Sequence, residues 1–245
     1  MKRIALALLA ALLPVLAVAA QDNPQPQNPP EEKPQEQPKD TPKEEPKDPP
    51  KAETVDEFLK RIEDAHKEHK DFQGKFEQVK YVALFGDEIK SSGRFAFKKP
   101  DHVRWEYTQP HKSVLVVTGD SGKKWSEATG RVEAFNLGDD RGLDAVVKQL
   151  FTWFKGEFTK LKDDYDVTIL EAKPGKLKLT PKKDVVKKFI AAIEVAFAEK
   201  GDQITSVKII EPMQEGDEEA GYTLYTFKDA ELDKGVADSE FELAR

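Results

Sequence analysis

Residues 93–110 read GRFAFKKPDHVRWEYTQP and alternate in two runs. Phe95, Phe97 and Lys99 fall on one parity, Arg94, Ala96 and Lys98 on the other. After Pro100 and Asp101 the rhythm resumes. Val103, Trp105 and Tyr107 then oppose His102, Arg104, Glu106 and Thr108. A period of two belongs to a strand and gives it one apolar and one wet face. The Pro-Asp step between the runs marks a turn. The stretch is a predicted hairpin with five large apolar groups on one sheet face, and something else must cover them.

The pattern continues along the chain. Strands are predicted over 76–85, 92–99, 102–108, 112–118, 123–128 and 131–135, with turns at Gly86-Asp87, Gly119-Asp120-Ser121-Gly122 and Thr129-Gly130. Further strands are predicted over 158–162, 165–171, 176–179, 189–197, 203–211, 222–227 and 240–243. Residues 112–118 are apolar on both faces at their centre, as in a well-covered strand. In 189–197, Phe189, Ala191, Ile193, Val195 and Phe197 share one face. About ten to twelve successive strands, with a turn signal every eight to twelve residues, imply an antiparallel meander. No strand–helix–strand alternation appears, which excludes a doubly wound sheet. So long a sheet must curl or close.

Two segments change period. Over 54–70, Thr54 and Glu57 form a capping-box pattern, and Val55, Phe58, Leu59, Ile62 and Ala65 make one helical stripe. Over 141–155, Leu143, Val146, Val147, Leu150, Phe151 and Phe154 recur at three and four, with Gly156 as the stop. His66 and His69 lack a third ligand at convincing spacing, so they read as solvated helix residues and no metal is expected.

The N-terminal fifth is of another kind. Residues 1–20 have a basic start (Lys2, Arg3), an apolar run and small residues at Ala17-Val18-Ala19, the pattern of a cleavable signal peptide. Residues 21–51 carry ten of the 16 prolines among charged and amide residues, the composition of a disordered, extended linker. Residues 52–245 are then the folded domain. With no cysteine, the chain has no site for a lipid anchor or a disulfide, so a soluble periplasmic protein and a monomer are expected. Losing Lys2 and Arg3 takes the formal charge from −7 to about −9, which argues against nucleic acid as a partner.

Catalytic motifs do not assemble. Gly119-Asp120-Ser121-Gly122 resembles a serine-nucleophile fragment, but it sits between strands and lacks positioned His and Asp partners. There is no phosphate loop, HExxH or nucleophile elbow, and no cofactor is expected. Two basic residues remain. Lys99 continues the Phe95–Phe97 face to its rim, where it could bond the carbonyls of a covering helix or a lipid headgroup. Arg104, on the other face, is expected to pair across strands with an acid.

The segment Asp71-Phe72-Gln73-Gly74-Lys75-Phe76-Glu77-Gln78 resembles the one after the first helix in periplasmic lipoprotein carriers of the LolA type. Gly93, Lys99-Pro100, Arg104-Trp105 and Pro110 resemble that family's central hairpin. Val114 to Trp125 resembles its next strand, turn and tryptophan. Leu177 to Pro181 and the last strands match more loosely. The resemblance implies a mainly β, α+β fold: a curved antiparallel sheet forming an unclosed half-barrel, with lid helices over an apolar concave face. It also implies that the hollow takes lipoprotein acyl chains from an inner-membrane ABC-type releasing complex and passes them to an outer-membrane acceptor. Its lining would be Phe76, Phe95, Phe97, Val103, Trp105, Tyr107, Leu143, Val147, Leu150, Phe151 and Phe154, with Lys99 as the lid contact. Family members commonly carry Arg at that position. The family's aromatic–proline segment is absent after Trp125, where Ser126-Glu127-Ala128 follows. A rival expectation is an envelope sensor or scaffold in which the same face is plain core and the outer surface binds a protein.

Overall fold

The computed structural model describes residues 53–139, 147 and 151–243. The predicted signal peptide and linker, Leu143 and Leu150 lie outside the described residues. Eleven strands form one antiparallel sheet: β1 Asp71–Val82, β2 Asp87–Lys98, β3 His102–Gln109, β4 Ser113–Thr118, β5 Ser121–Ser126, β6 Val132–Asn136, β7 Tyr165–Glu171, β8 Lys176–Pro181, β9 Ala192–Phe197, β10 Ile204–Ile210 and β11 Tyr222–Leu232. Their order is β6-β5-β4-β3-β2-β1-β11-β10-β9-β8-β7, and β6 does not pair with β7. The fold is therefore an open, mostly β sheet rather than a closed barrel.

That order has a direct consequence. Two meanders meet where β1 pairs with β11, so β6 and β7 are opposite edges. The chain between them must cross a whole face of the sheet. This connection carries a helix, α2, over 151–155. The other long helix is α1, Val55–His66. Its capping box is formed, with Glu57 N donating to Thr54 Oγ1 at 3.3 Å and Thr54 N donating to Glu57 Oε2 at 2.8 Å. The helix-bearing inner face holds two apolar clusters. Under α1, Phe58, Leu59 and Ile62 are fully buried against Leu177, Leu179, Ile193, Val195 and Phe197 of β8 and β9. The second cluster gathers β1–β4 residues with Val147 and Phe151.

Three predicted strands are corrected. Residues 158–162 form a 3-10 turn, Phe158–Lys160, running into a short helix, α3, Leu161–Asp164. Phe158 and Leu161 are the buried pair, and a spacing of three faces one side only in a helical turn. The strand predicted over 189–197 begins at Ala192, after a one-turn helix, α4, Asp184–Lys187. Its neighbour β10 ends at Ile210, opposite Ala192, so nothing remains to pair with Phe189, which is exposed. Residues 240–243 are not a strand either. Asp238–Phe241 is a 3-10 turn in a strap over the outer face, where every central strand already has two neighbours.

The strap also corrects the expectation of a wet outer face. Val236 and Phe241 bury Ala96, Val114 and Val116 from outside. Lys98 Nζ donates to Asp238 Oδ1 at 2.6 Å and to the Val236 carbonyl at 3.1 Å. Arg104 pairs with Glu106 on its own strand at 2.7 Å, not across strands, and donates to the Glu240 carbonyl at 3.0 Å.

Candidate functional site

The β2–β3 hairpin sets the floor of the inner face. Phe95 stands opposite Trp105, Phe97 opposite Val103, and Gly93 opposite Tyr107. On the other side Phe76 stands opposite Gly93. A Cβ on Gly93 would lie 1.9 Å from the Glu106 carbonyl oxygen and 2.7 Å from the Phe76 ring, so glycine is what lets that ring lie across the strand. Phe76 stacks on Trp105 with centroids 4.3 Å apart and meets Tyr107 edge-on at 5.1 Å. From above, Phe154 stacks on Phe97 at 4.7 Å, and Phe151 and Val147 are buried beside it. Phe76, Phe95, Phe97, Val103, Trp105, Tyr107, Val147, Phe151 and Phe154 thus fall in a single cluster. Trp153, on the same helix, turns to the other cluster, so α2 bridges both.

At one end of this face α1 is fastened down. Lys99 Nζ donates to the His66 carbonyl at 3.2 Å and the Lys67 carbonyl at 3.0 Å. Both carbonyls lie at the helix C-terminus, the negative end of its dipole, and that of His66 also accepts the His69 backbone N–H at 3.2 Å. Burial lowers the Lys99 pKa, against the opposing pull of Asp233 and Glu68. Beside it, Asp233 accepts from the Lys70 backbone N–H at 2.7 Å and pairs with His69 Nδ1 at 2.7 Å. His66 is not solvated as expected. It is 2 % exposed, packed edge-on against Phe158 at 4.8 Å, with Nδ1 3.0 Å from the Ile62 carbonyl. Burial pushes its pKa down to about 4, so the ring is neutral at pH 7. Gly156, with φ +76°, passes so close that a Cβ there would lie 2.5 Å from the His66 Cβ. Among the described residues no His/Asp/Glu group could hold a metal ion.

Sequence reading missed a polar row at the other end of the floor. Gln78 stands opposite Ser91 and Tyr225 and shares their face. Gln78 and Ser91 are buried, and Tyr107 Oη donates to Gln78 Oε1 at 2.5 Å. Burial pushes the Tyr225 phenol well up, with Tyr107 beside it adding to the shift. The Ser91 hydroxyl is buried and has no hydrogen-bond partner among the described residues. The only signal for this row was parity, since Gln78 is two residues from Phe76 and so faces inward with it.

Beyond that row the inner face opens at a pocket of about 440 Å³, lined by the ends of β1 and β11, the β10–β11 loop and the segment after α4. Leu84, Phe85, Phe189 and Met213 are exposed large apolar residues of these same loops. Among the described residues no helix is long and apolar enough to cross a membrane.

An open antiparallel sheet, with helices laid across an apolar inner face by an edge-to-edge connection, defines a binding fold. The chain belongs to the family of the outer membrane lipoprotein carrier protein LolA, whose model matches residues 67–244. No curated protein matches it. Solved structures resemble it at low identity. A domain described as outer membrane lipoprotein-sorting, from Vibrio parahaemolyticus, is 10% identical over 76% of this chain and 95% of its own, with a TM-score of 0.42. A LolA superfamily protein from Nitrosomonas europaea is 11% identical over 78% and 99%, with a TM-score of 0.39. MucB in its Pseudomonas aeruginosa complex with MucA is 16% identical over 76% and 60%, with a TM-score of 0.36. Scores of this size carry no functional argument.

Proposed function

We propose that the protein is a periplasmic carrier. It takes the acyl chains of lipoproteins or lipids between the floor of the inner face and α2, and ferries them toward the outer membrane. The observation that carries this reading is the stacking of Phe154 and the packing of Phe151 on the Phe95–Phe97–Val103 floor. These are apolar contacts without directional demands, so an acyl chain can replace them contact for contact. Each methylene moved from water to such a surface stabilises by about 0.8 kcal/mol. When the guest leaves, the helix side chains take its place, and the empty state stays covered. Lys99 then holds α1 while α2 moves. The donor in this reading is an inner-membrane ABC-type releasing complex, and the recipient is an outer-membrane acceptor. In this reading residues 1–20 direct export, residues 21–51 are a spacer, and no covalent chemistry is involved.

The test is titration of the purified full chain with a fluorescent acyl probe. Saturable binding is expected, with Val147→Glu or Phe151→Glu weakening it at least tenfold and the far-UV circular dichroism unchanged. No binding by the wild-type chain would sink the carrier and leave a scaffold whose inner face is ordinary core.

A further inference from the structure

The pocket at the open end of the inner face holds opposite charges apart. Lys80 of β1 and Glu211, just past β10, are both half-buried, and both line it. Neither has an ion pair or side-chain hydrogen bond to any described residue, although they share one pocket. Several other lysines of this sheet do find a partner. Lys75, Lys90, Lys98 and Lys176 each reach a carboxylate within 3.2 Å. A second pair of charges stands at the same pocket. Lys188 is also without an ion pair among the described residues, and Asp217 accepts only the Gln214 backbone N–H, at 2.7 Å. Two ammonium groups and two carboxylates therefore surround one space with apolar walls, Val82, Ile190 and Ile209 among them.

Along β1 and β11 the pocket is followed by a buried polar row and then by the floor. Thr223 lies opposite Lys80, the Gln78–Tyr225 row comes next, and the Phe76–Phe227 row after that. Each two-residue step along a strand is about 7 Å, so the polar row is one step and the aromatic floor two steps inward from Lys80. The unpartnered Ser91 hydroxyl sits in the polar row, where a molecule headed in the pocket and tailed on the floor would place ester carbonyls.

On the footing of the carrier reading, we propose that this pocket seats the head of a zwitterionic phospholipid carrying a phosphate and a primary amine. Lys80 and Lys188 face the phosphate, Glu211 and Asp217 face the ammonium, Ser91 meets an ester carbonyl, and the acyl chains run over the Phe76–Phe227 row. A neutral head would leave both pairs of charges unanswered, and a purely anionic head would leave the carboxylates facing it.

The experiment compares three short-chain lipids with identical acyl chains on the full chain by calorimetry: a phosphatidylethanolamine, a phosphatidylglycerol and a diacylglycerol. The ethanolamine lipid should bind at least tenfold tighter than the diacylglycerol and severalfold tighter than the glycerol lipid. Lys80→Gln with Lys188→Gln should collapse the first ratio toward one. Glu211→Gln should remove the second ratio while sparing the first. Ratios are read on one and the same variant, so a general loss of fold cannot imitate the result. Equal affinity for all three lipids in the wild-type chain would overturn the head-group site and leave the carrier standing. Phosphoethanolamine without acyl chains should not bind measurably, and binding as tight as that of the lipid would overturn the lipid assignment in favour of a free-ligand site. Failure of every acyl ligand would overturn the carrier itself, and the head-group site with it.

Discussion

The two halves of the inner face are built from the same materials and held differently. On the α1 side, Phe58, Leu59 and Ile62 are completely buried, and the helix is pinned around its length. Its N-terminus is capped, Glu63 accepts from Thr159 N and Oγ1 at 2.9 and 2.7 Å, Arg61 donates to the Ala172 carbonyl at 3.0 Å, and Lys99 holds the C-terminus. On the α2 side the floor is richer in aromatic rings, and Trp105, Phe154 and Phe227 are only partly buried. Directional bonds fix a helix in one place, whereas apolar stacking lets it be replaced. On the proposed carrier reading, one half is the anchor and the other the surface that exchanges.

Three measurements can break or sharpen that contrast. The largest effect is expected from truncating the anchor. Phe58→Ala should cost about 3–5 kcal/mol of unfolding free energy in urea, whereas Phe154→Ala should cost about half that or less. Equal losses would erase the distinction. Next comes acid. His66 is neutral in the folded chain because burial depresses its pKa from 6.5 to about 4. The unfolded chain binds the proton more readily, so the stabilisation is whole above pH 6.5 and is lost as the pH falls toward 4. The drop should be on the order of 3 kcal/mol. His66→Leu should flatten the step in urea midpoints taken across that range. A step of the same height in the variant would assign the acid response elsewhere. The smallest effect belongs to the fastening residue. Lys99→Met should cost about 1 kcal/mol, since the site is partly exposed, and should speed acyl-probe uptake severalfold in stopped flow. Uptake slower than wild type would mean that Lys99 serves entry rather than closure.

Much of this was readable from local pattern. Parity alone put Phe95, Phe97, Val103, Trp105 and Tyr107 on one face, and Thr54 with Glu57 announced the start of α1. Errors came where structure depends on a distant partner. Phe189 has strand chemistry but no neighbour to pair with, and residues 240–243 alternate like a strand yet meet a sheet with no vacancy. His66 sits on a helix whose stripe was read correctly, but its burial comes from Phe158 and Gly156, about ninety residues away. The same holds for the mouth. Lys80 and Glu211 are unremarkable in sequence, and only the meeting of β1 with β11 brings them to one pocket.

The connection from β6 to β7 can be viewed as a chord drawn across an arc. It has 28 residues, from Leu137 to Asp164, and its described parts are largely helical. Helix advances only about 1.5 Å per residue, whereas eleven strands laid flat would spread over roughly 48 Å. The string is tied down at both ends: Leu137 packs into the cluster of the β1–β4 floor, and Phe158 and Leu161 pack into the cluster under α1. A segment that never joins the sheet is thus buckled into both of its apolar clusters, and a change at either buckle reaches the two halves of the inner face without altering a strand.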